Sequence, residues 1–210
     1  MSALFGKTAL VTGASRGIGR ASALALAKAG ANVLVHYGNS EKEADAAVAE
    51  IRKAGGYAEK LGADLRQADG PHILANRVRA ILGDRLDILV ANAGISKAAS
   101  IEDTTIEDFD NLFAVNVRAP FFLVQQLLPA LSKGSNIIFT SSLAAHASAG
   151  ALSAYGATKG AVDTLVKYLA SALVPAVSAP MPSRHAWWIP TCRTSPRPRP
   201  AAKPPSACRR

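Results

Sequence analysis

Short, continuously apolar runs alternate with amphipathic stretches along the first 173 of the chain's 210 residues. Residues 7–12, 32–37, 57–61, 86–91 and 136–140 read as buried strands, the third the weakest. Residues 16–29 read as a helix closed by Gly30, and Ser40 with Glu43 forms a capping box for a helix reaching Ala54. Pro71 suits the first turn of a helix running to Leu82. A long helical region spans 105–132, bent near Pro120, and a last helix spans 154–173. Strands without polar alternation must be covered on both faces, which calls for a parallel sheet. Right-handed crossovers then make the fold α/β: a doubly wound parallel sheet of Rossmann type. Ligands of such a sheet sit at the carboxyl ends of the strands, where the winding reverses.

The amino-acid balance changes abruptly after this body. Residues 174–210 hold 7 of the 24 basic residues, none of the 15 acidic ones, 9 of the 12 prolines, both tryptophans and both cysteines. The net charge of +9 is therefore mostly a property of the tail. Two units follow: a 1–173 body and a Pro/Arg-rich irregular tail, 174–210. No stretch reads as long and apolar enough to span a bilayer, and residues 1–7 lack a secretory pattern. Cys192 and Cys208 make no disulfide framework, so a reducing, cytoplasmic setting is expected. No metal is expected.

The first strand runs into Thr12-Gly13-Ala14-Ser15-Arg16-Gly17-Ile18-Gly19. Gly13, Gly17 and Gly19 permit a tight turn and close backbone approach to an anion, and the helix N-terminus adds partial positive charge. The spacing differs from the common G-x-G-x-x-G. Taken alone it is also compatible with an ordinary glycine-rich turn. Far downstream, Tyr155-Gly156-Ala157-Thr158-Lys159 puts a phenol and an ammonium on one helix face. A free phenol, with a pKa near ~10, is a poor base at neutral pH. A neighbouring ammonium favours the phenolate and makes Tyr155 usable as a general acid/base.

These motifs resemble those of the short-chain dehydrogenase/reductase family. Ala91-Asn92-Ala93-Gly94 after the fourth strand, Asn116 in F-A-V-N-V, and Ser142 thirteen residues before Tyr155 extend the likeness over residues 5–173. Members looking most similar are 3-oxoacyl-ACP reductases and glucose-type or generic alcohol dehydrogenases. The resemblance implies an NAD(P)-dependent oxidoreductase that moves hydride between a nicotinamide cofactor and a ketone or secondary alcohol. It implies Asn116, Ser142, Tyr155 and Lys159 as the catalytic set. Ser142 would orient the substrate oxygen, Lys159 would hold the nicotinamide ribose, and Asn116 would support a water-linked proton path.

The implied cofactor residues are Gly13, Ser15, Arg16, Gly17, Ile18 and Gly19 in the turn, and Tyr37, Asn39 and Ser40 after the second strand. Asp64, Leu65, Asn92, Ala93, Gly94, Tyr155 and Lys159 complete them. Asp64 is equally compatible with a capping role, and Asn92 with a role through the backbone. No acid stands between His36 and Ser40 to bind an adenosine ribose, while Arg16 could face a 2′-phosphate; NADP is expected over NAD. Ile95, Ser96, Ala144 and Leu152 are generic pocket candidates, and His146 reads as a loop residue. The substrate is a small carbonyl or alcohol; neither nucleic acid nor membrane is expected as a partner.

The tail departs from the family, which continues into two further strands and a substrate-covering segment. A reading-frame shift near Leu173 accounts for the break. Regrouped codons permit a string close to the family's continuation. The three forced positions agree with it: Met181–Pro182 must give Ala, Trp187–Trp188 Val, and Trp188–Ile189 Asp. The expected consequences are an open edge on the fifth strand, an incomplete homo-oligomer interface, a loosely packed tail and impaired turnover. Two other readings stand beside the enzyme: a catalytically impaired dinucleotide-binding fragment, and a basic tail binding nucleic acid or anionic membrane.

Overall fold

A computed structural model describes residues 2–173 and the backbone of residues 186–190. Its elements are β1 (Thr8–Val11), α1 (Gly17–Lys28), β2 (Asn32–Tyr37), α2 (Glu41–Lys53), β3 (Ala58–Gly62) and α3 (Gly70–Leu82). Then come β4 (Leu86–Ala91), α4 (Ile106–Phe113), α5 (Ala119–Leu127), β5 (Leu131–Thr140), α6 (Ser153–Leu173) and β6 (Ala186–Pro190). The sheet order is β3-β2-β1-β4-β5-β6, with the first five strands parallel. This is the doubly wound Rossmann arrangement expected, with the winding reversing between β1 and β4.

Alternate residues of each strand feed opposite cores. Leu10, Leu34, Leu89, Ile137 and Phe139 meet α3, α5 and α6 through Leu74, Leu123, Leu127 and Val162. Ala9, Val11, Val33, Val35 and Val90 meet α1 and α2 through Ala23, Ala47, Val48 and Ile51. Small residues dominate the second interface, so α1 and α2 can lie close to the strands, with the phosphate-type turn at their head. Asp87 fastens the opposite end of the sheet. Its carboxylate accepts from Lys7 Nζ at 2.9 Å, from the Thr8 N–H at 3.0 Å and from Arg85 at 3.1 Å.

Several local expectations need correction. Ser40 stands at the N-cap of α2 but makes no side-chain cap bond, so the capping box is not formed. The long helical region is interrupted before Pro120. Residues Ala114–Arg118 form a π-helical turn, because Pro120 has no N–H to return to the Asn116 carbonyl. Pro129 likewise ends α5 in a 3₁₀ turn, and residues 131–132 join β5. The register slips there between Leu86↔Leu131 and Ile88↔Asn136. Ser135 Oγ closes the resulting bulge, accepting from the Ser132 N–H at 3.0 Å and donating to Leu86 O at 2.8 Å.

The run Ile106–Ala130 is long and apolar enough by length and composition to cross a membrane, contrary to expectation, although half of that window is buried in the protein. The edge of β5 is not open either. β6 pairs antiparallel with it, Ile138 opposite Trp188 and Asn136 opposite Pro190. An unpaired strand edge is a template for any β-favouring run, and A-W-W-I is one. The expected packing of the rest of the tail, 174–185 and 191–210, lies outside the described residues.

Candidate active site

A cavity of about 560 Å³ opens at the carboxyl ends of β1, β2, β3 and β4, across the winding reversal. At one end it is lined by Gly13, Ser15, Arg16 and Ile18 from the turn into α1, with Asn39 and Ser40 after β2. Asp64 and Leu65 after β3 form another wall, and Asn92, Ala93 and Gly94 after β4 the floor. Tyr155 and Lys159 of α6 close the far end. Five expected residues are not in this lining: Gly17, Gly19, Tyr37, Asn116 and Ser142.

Each of those five has a definable place. Gly17 holds φ +56°, a conformation glycine adopts without a Cβ penalty. Gly19 packs α1 against the turn: a Cβ there would stand 2.3 Å from Gly13 O. Both shape the cradle without lining it. Tyr37 lies against Gly62, where an added Cβ would come within 2.9 Å of its ring, and its hydroxyl engages Glu41. It does not line the cavity; its hydroxyl bonds Glu41, with the Lys60 charge nearby. Ser142 Oγ accepts from the Ala144 N–H at 3.2 Å and caps a 3₁₀ turn.

Asn116 is buried, with its amide fully used. Oδ1 accepts from the Ile95 N–H, and Nδ2 donates to Ile95 O, each at 2.9 Å. Nδ2 also donates to Thr158 Oγ1 at 3.0 Å, and that hydroxyl donates to Tyr155 O at 2.7 Å. Asn116 thereby ties the loop after β4 to the helix that carries Tyr155.

The turn itself is pre-shaped for an anion. Arg16 occupies the N-cap of α1 with no side-chain cap bond, and no acid stands in the first turn. The helix therefore keeps uncapped N–H groups and partial positive charge at the cradle. The nearest acids are engaged elsewhere. Glu41 meets Lys60 Nζ at 2.9 Å, and Asp64 is gripped by Arg66 through Nε at 3.0 Å and Nη2 at 2.9 Å. The Arg66 guanidinium leads the forces holding the Asp64 carboxyl below its ordinary range; burial opposes it.

Sequence reasoning missed three residues that organise this site. Thr12 Oγ1 accepts from the N–H groups of Asn92 and Ala93, both at 2.9 Å, fastening the floor to β1. Thr140 lines the cavity and accepts Lys159 Nζ on its carbonyl at 2.8 Å. His36, buried at the end of β2, accepts the Gly13 N–H on Nδ1 at 3.1 Å, and its Nε2 meets Ala63 O at 3.0 Å. A histidine inside an otherwise apolar strand was the available signal for the last of these. Asn92 lines the cavity and donates from Nδ2 to Thr12 O at 3.0 Å and Gly13 O at 3.3 Å.

At the far end, Tyr155 and Lys159 share a face of α6, with Nζ 5.8 Å from the phenol's ring centroid. Burial pushes the Lys159 ammonium below its ordinary range, and the negative charge of Asp163, one turn on, opposes that shift. Asp163 in turn meets His146 Nε2 at 3.0 Å, fastening the loop after Ser142 to α6. Gly94 keeps the space between: a Cβ there would lie 3.2 Å from Asn116 Oδ1 and 3.6 Å from Lys159 Nζ.

Comparison with known proteins agrees with this geometry. The short chain dehydrogenase family profile matches residues 7–182. A short-chain dehydrogenase/reductase of Pestalotiopsis microspora, GME11373, is 42% identical over 168 residues, covering 80% of this chain and 63% of that protein. Versicolorin reductase stcU of Emericella nidulans gives the same identity and the same coverages. This chain thus spans 63% of the length of both curated relatives. The crystal structure of the landomycin C-6 ketoreductase LanV with bound NADP and rabelomycin superposes with a TM-score of 0.78 at 40% identity. That match covers 82% of this chain and 72% of LanV. Four motifs in register, a cradle and a Tyr–Lys helix on one cavity, and a profile match over most of its length place this chain in the short chain dehydrogenase family.

Proposed function

We propose that this chain carries the chemistry of an NADP-dependent ketoreductase, with Tyr155 as the proton-transfer group. One observation carries the reading: a single cavity joins an uncapped helix N-terminus to the Tyr155–Lys159 pair. The residues present fit a phosphorylated dinucleotide. Gly13 to Gly19 and the head of α1 would hold the diphosphate. Arg16, Asn39 and Ser40 would face a 2′-phosphate, with no free acid among the described residues of that rim to repel it. Asp64 and Leu65 border the adenine end, and Asn92 to Gly94 the floor. The reductase LanV, similar in fold and sequence, binds NADP. The bound cofactor would supply the hydride.

This chain's own groups would manage the proton and the substrate. Tyr155 Oη would give a proton to a ketone oxygen on reduction, or take one from a secondary alcohol in reverse. The Lys159 ammonium would favour the phenolate that remains. Ser142 would polarise the substrate oxygen by donating its O–H while Oγ accepts the Ala144 N–H. Asn116 would serve by fixing Ile95 and Thr158, and its backbone carbonyl, deprived of the Pro120 donor, would be open to a water.

Titration with NADPH followed by fluorescence, then NADPH consumption over a panel of ketones, tests the reading. Binding with consumption is expected, and absence of NADPH binding would overturn it. A second reading, binding without turnover, is supported by the compositional break at 174–210, where the family supplies substrate cover and oligomer contacts. NADPH binding with no consumption on any ketone would select it. The same break supports a shifted reading frame after Leu173, and DNA sequence through those codons decides that point. A cytoplasmic location is part of the proposal, and cell fractionation checks it.

A further inference from the structure

Among the described residues lining the cleft, His36 is the buried titratable side chain that the proposed chemistry leaves without a task. Its ring lies at the carboxyl end of β2, between the turn after β1 and the turn after β3. Both ring nitrogens are used: the Gly13 N–H reaches Nδ1 at 3.1 Å, and Ala63 O lies 3.0 Å from Nε2. The backbone adds a third tie, since the Ala14 N–H donates to His36 O at 2.8 Å. One residue therefore takes the first two N–H groups of the glycine turn and holds the carbonyl just before Asp64.

The partners dictate the chemical form of the ring. A backbone N–H can only donate, so Nδ1 must be a bare acceptor. A carbonyl can only accept, so Nε2 must carry the hydrogen. A second proton could reside only on Nδ1, where it would face the Gly13 N–H. Burial works in the same direction, lowering the imidazole pKa to about 4 against the smaller raising effect of the Ala63 bond.

The two turns tied by this ring are opposite walls of the proposed dinucleotide cleft. Gly13 begins the diphosphate cradle at φ +63°, and Ala63 leads into the Asp64–Leu65 wall. Among the described residues no main-chain hydrogen bond links those two walls directly; Ala14 bonds to β2, and Ala63 bonds to Tyr37 at the end of the same strand. We propose that His36 is a positioning residue that, as a neutral Nε2–H imidazole, sets the spacing of the two cleft walls and thereby the affinity for the dinucleotide. This rests on the NADP reading above, and it assigns a determinant of binding to a strand residue.

The test uses the full chain with two substitutions. His36→Gln keeps one acceptor and one donor on a flexible side chain, whereas His36→Leu keeps neither. NADPH affinity by fluorescence is expected to fall about tenfold or more in His36→Leu and to recover to within about threefold in His36→Gln. Melting temperatures measured in parallel separate positioning from stability, because a merely structural role would lower both melting points without moving the affinity of the folded protein. The wild-type chain labelled with ¹⁵N-histidine should show one ring, absent from His36→Gln, with a bare Nδ1 and a protonated Nε2. That ring should remain neutral near about pH 5, where free imidazole is charged. A folded His36→Leu protein that binds NADPH as tightly as wild type would overturn the proposal, as would an Nδ1–H tautomer. Should His36→Leu not fold, the affinity of His36→Gln and the tautomer decide. Wild-type protein that fails to bind NADPH would instead overturn the cofactor reading, while the labelled spectrum would still decide whether the ring is the neutral strut.

Discussion

Lys159 Nζ donates to the backbone carbonyl of Thr140 at 2.8 Å, and the hydroxyl of the same threonine reaches Asn92 Oδ1 at 3.3 Å. One strand-end residue thus joins the proton-transfer helix to the floor of the cofactor cradle. The ammonium is buried and pushed below its ordinary range, with Asp163 resisting the shift. Replacing Asp163 by Asn removes the opposing charge, so Lys159 should lose its proton at lower pH than in the parent. The alkaline limb of NADPH-dependent reduction should move to lower pH. An unmoved limb would show that Asp163 serves only to hold His146.

Lys159→Met keeps an unbranched side chain one atom shorter and removes the charge. Turnover should fall by about 10²–10⁴, the usual worth of positioned acid–base assistance. Thermal melting should change far less, since an apolar chain of similar volume fills the same channel. Steady-state rates and melting curves on the same preparation check both halves.

Acid should destabilise the protein in two separable stages. His36 has a folded pKa near 4, below the ordinary ~6.5, so the unfolded chain takes up a proton first as pH falls. The contribution is intact above about pH 6.5 and is lost down to about pH 4, to the extent of about 3 kcal/mol. The charged groups lining the same cavity nearby are Arg16 from the first turn and Asp64 paired with Arg66 after β3. Asp87 acts lower. Burial raises its pKa, but Lys7, the Thr8 N–H and Arg85 together outweigh that and leave it below the usual carboxylate range. Its contribution is present above about pH 4 and disappears as pH falls through the folded value. Urea unfolding across pH should show the upper stage flattened in His36→Gln and the lower one flattened in Asp87→Asn.

Much of this was legible in the sequence because it rests on local chemistry. Continuous apolar strands announced the parallel sheet, and the glycine turn and the Y-x-x-x-K pair fell where a wound sheet gathers its loops. What escaped was decided by long-range partners. His36 gains its role only when β1 and β3 flank β2, and Thr140 only when α6 returns over β5. Tyr37 was expected in the cleft, yet it does not line the cavity and its hydroxyl bonds Glu41. Ser40 and Glu43 carry a capping-box pattern, but Ser40 lines the cavity instead of closing α2. The strand at 186–190 drew nothing from periodicity, because its formation answers an edge that exists only after β5 is in place.

Gly17 and Gly19 look equivalent in the motif and differ in cause. Gly17 has φ +56° and nothing within 4 Å of where a Cβ would sit. Gly17→Ala should therefore cost only the left-handed backbone penalty, about 1–2 kcal/mol. Gly19 has no such backbone demand, but a Cβ would lie 2.3 Å from Gly13 O and 2.5 Å from Asn92 Nδ2. Neither neighbour can yield cheaply: one is backbone of the cradle, and the other is held on Thr12 O and Gly13 O. Gly19→Ala should force α1 away from β1 and cost about 3 kcal/mol or more, at or beyond the usual range for overpacking. It should also weaken NADPH binding more than Gly17→Ala does, because the displaced helix carries the N–H groups of the cradle. Urea midpoints and NADPH titrations of the two variants check the ranking, and equal losses would show that conformation rather than close packing governs both positions.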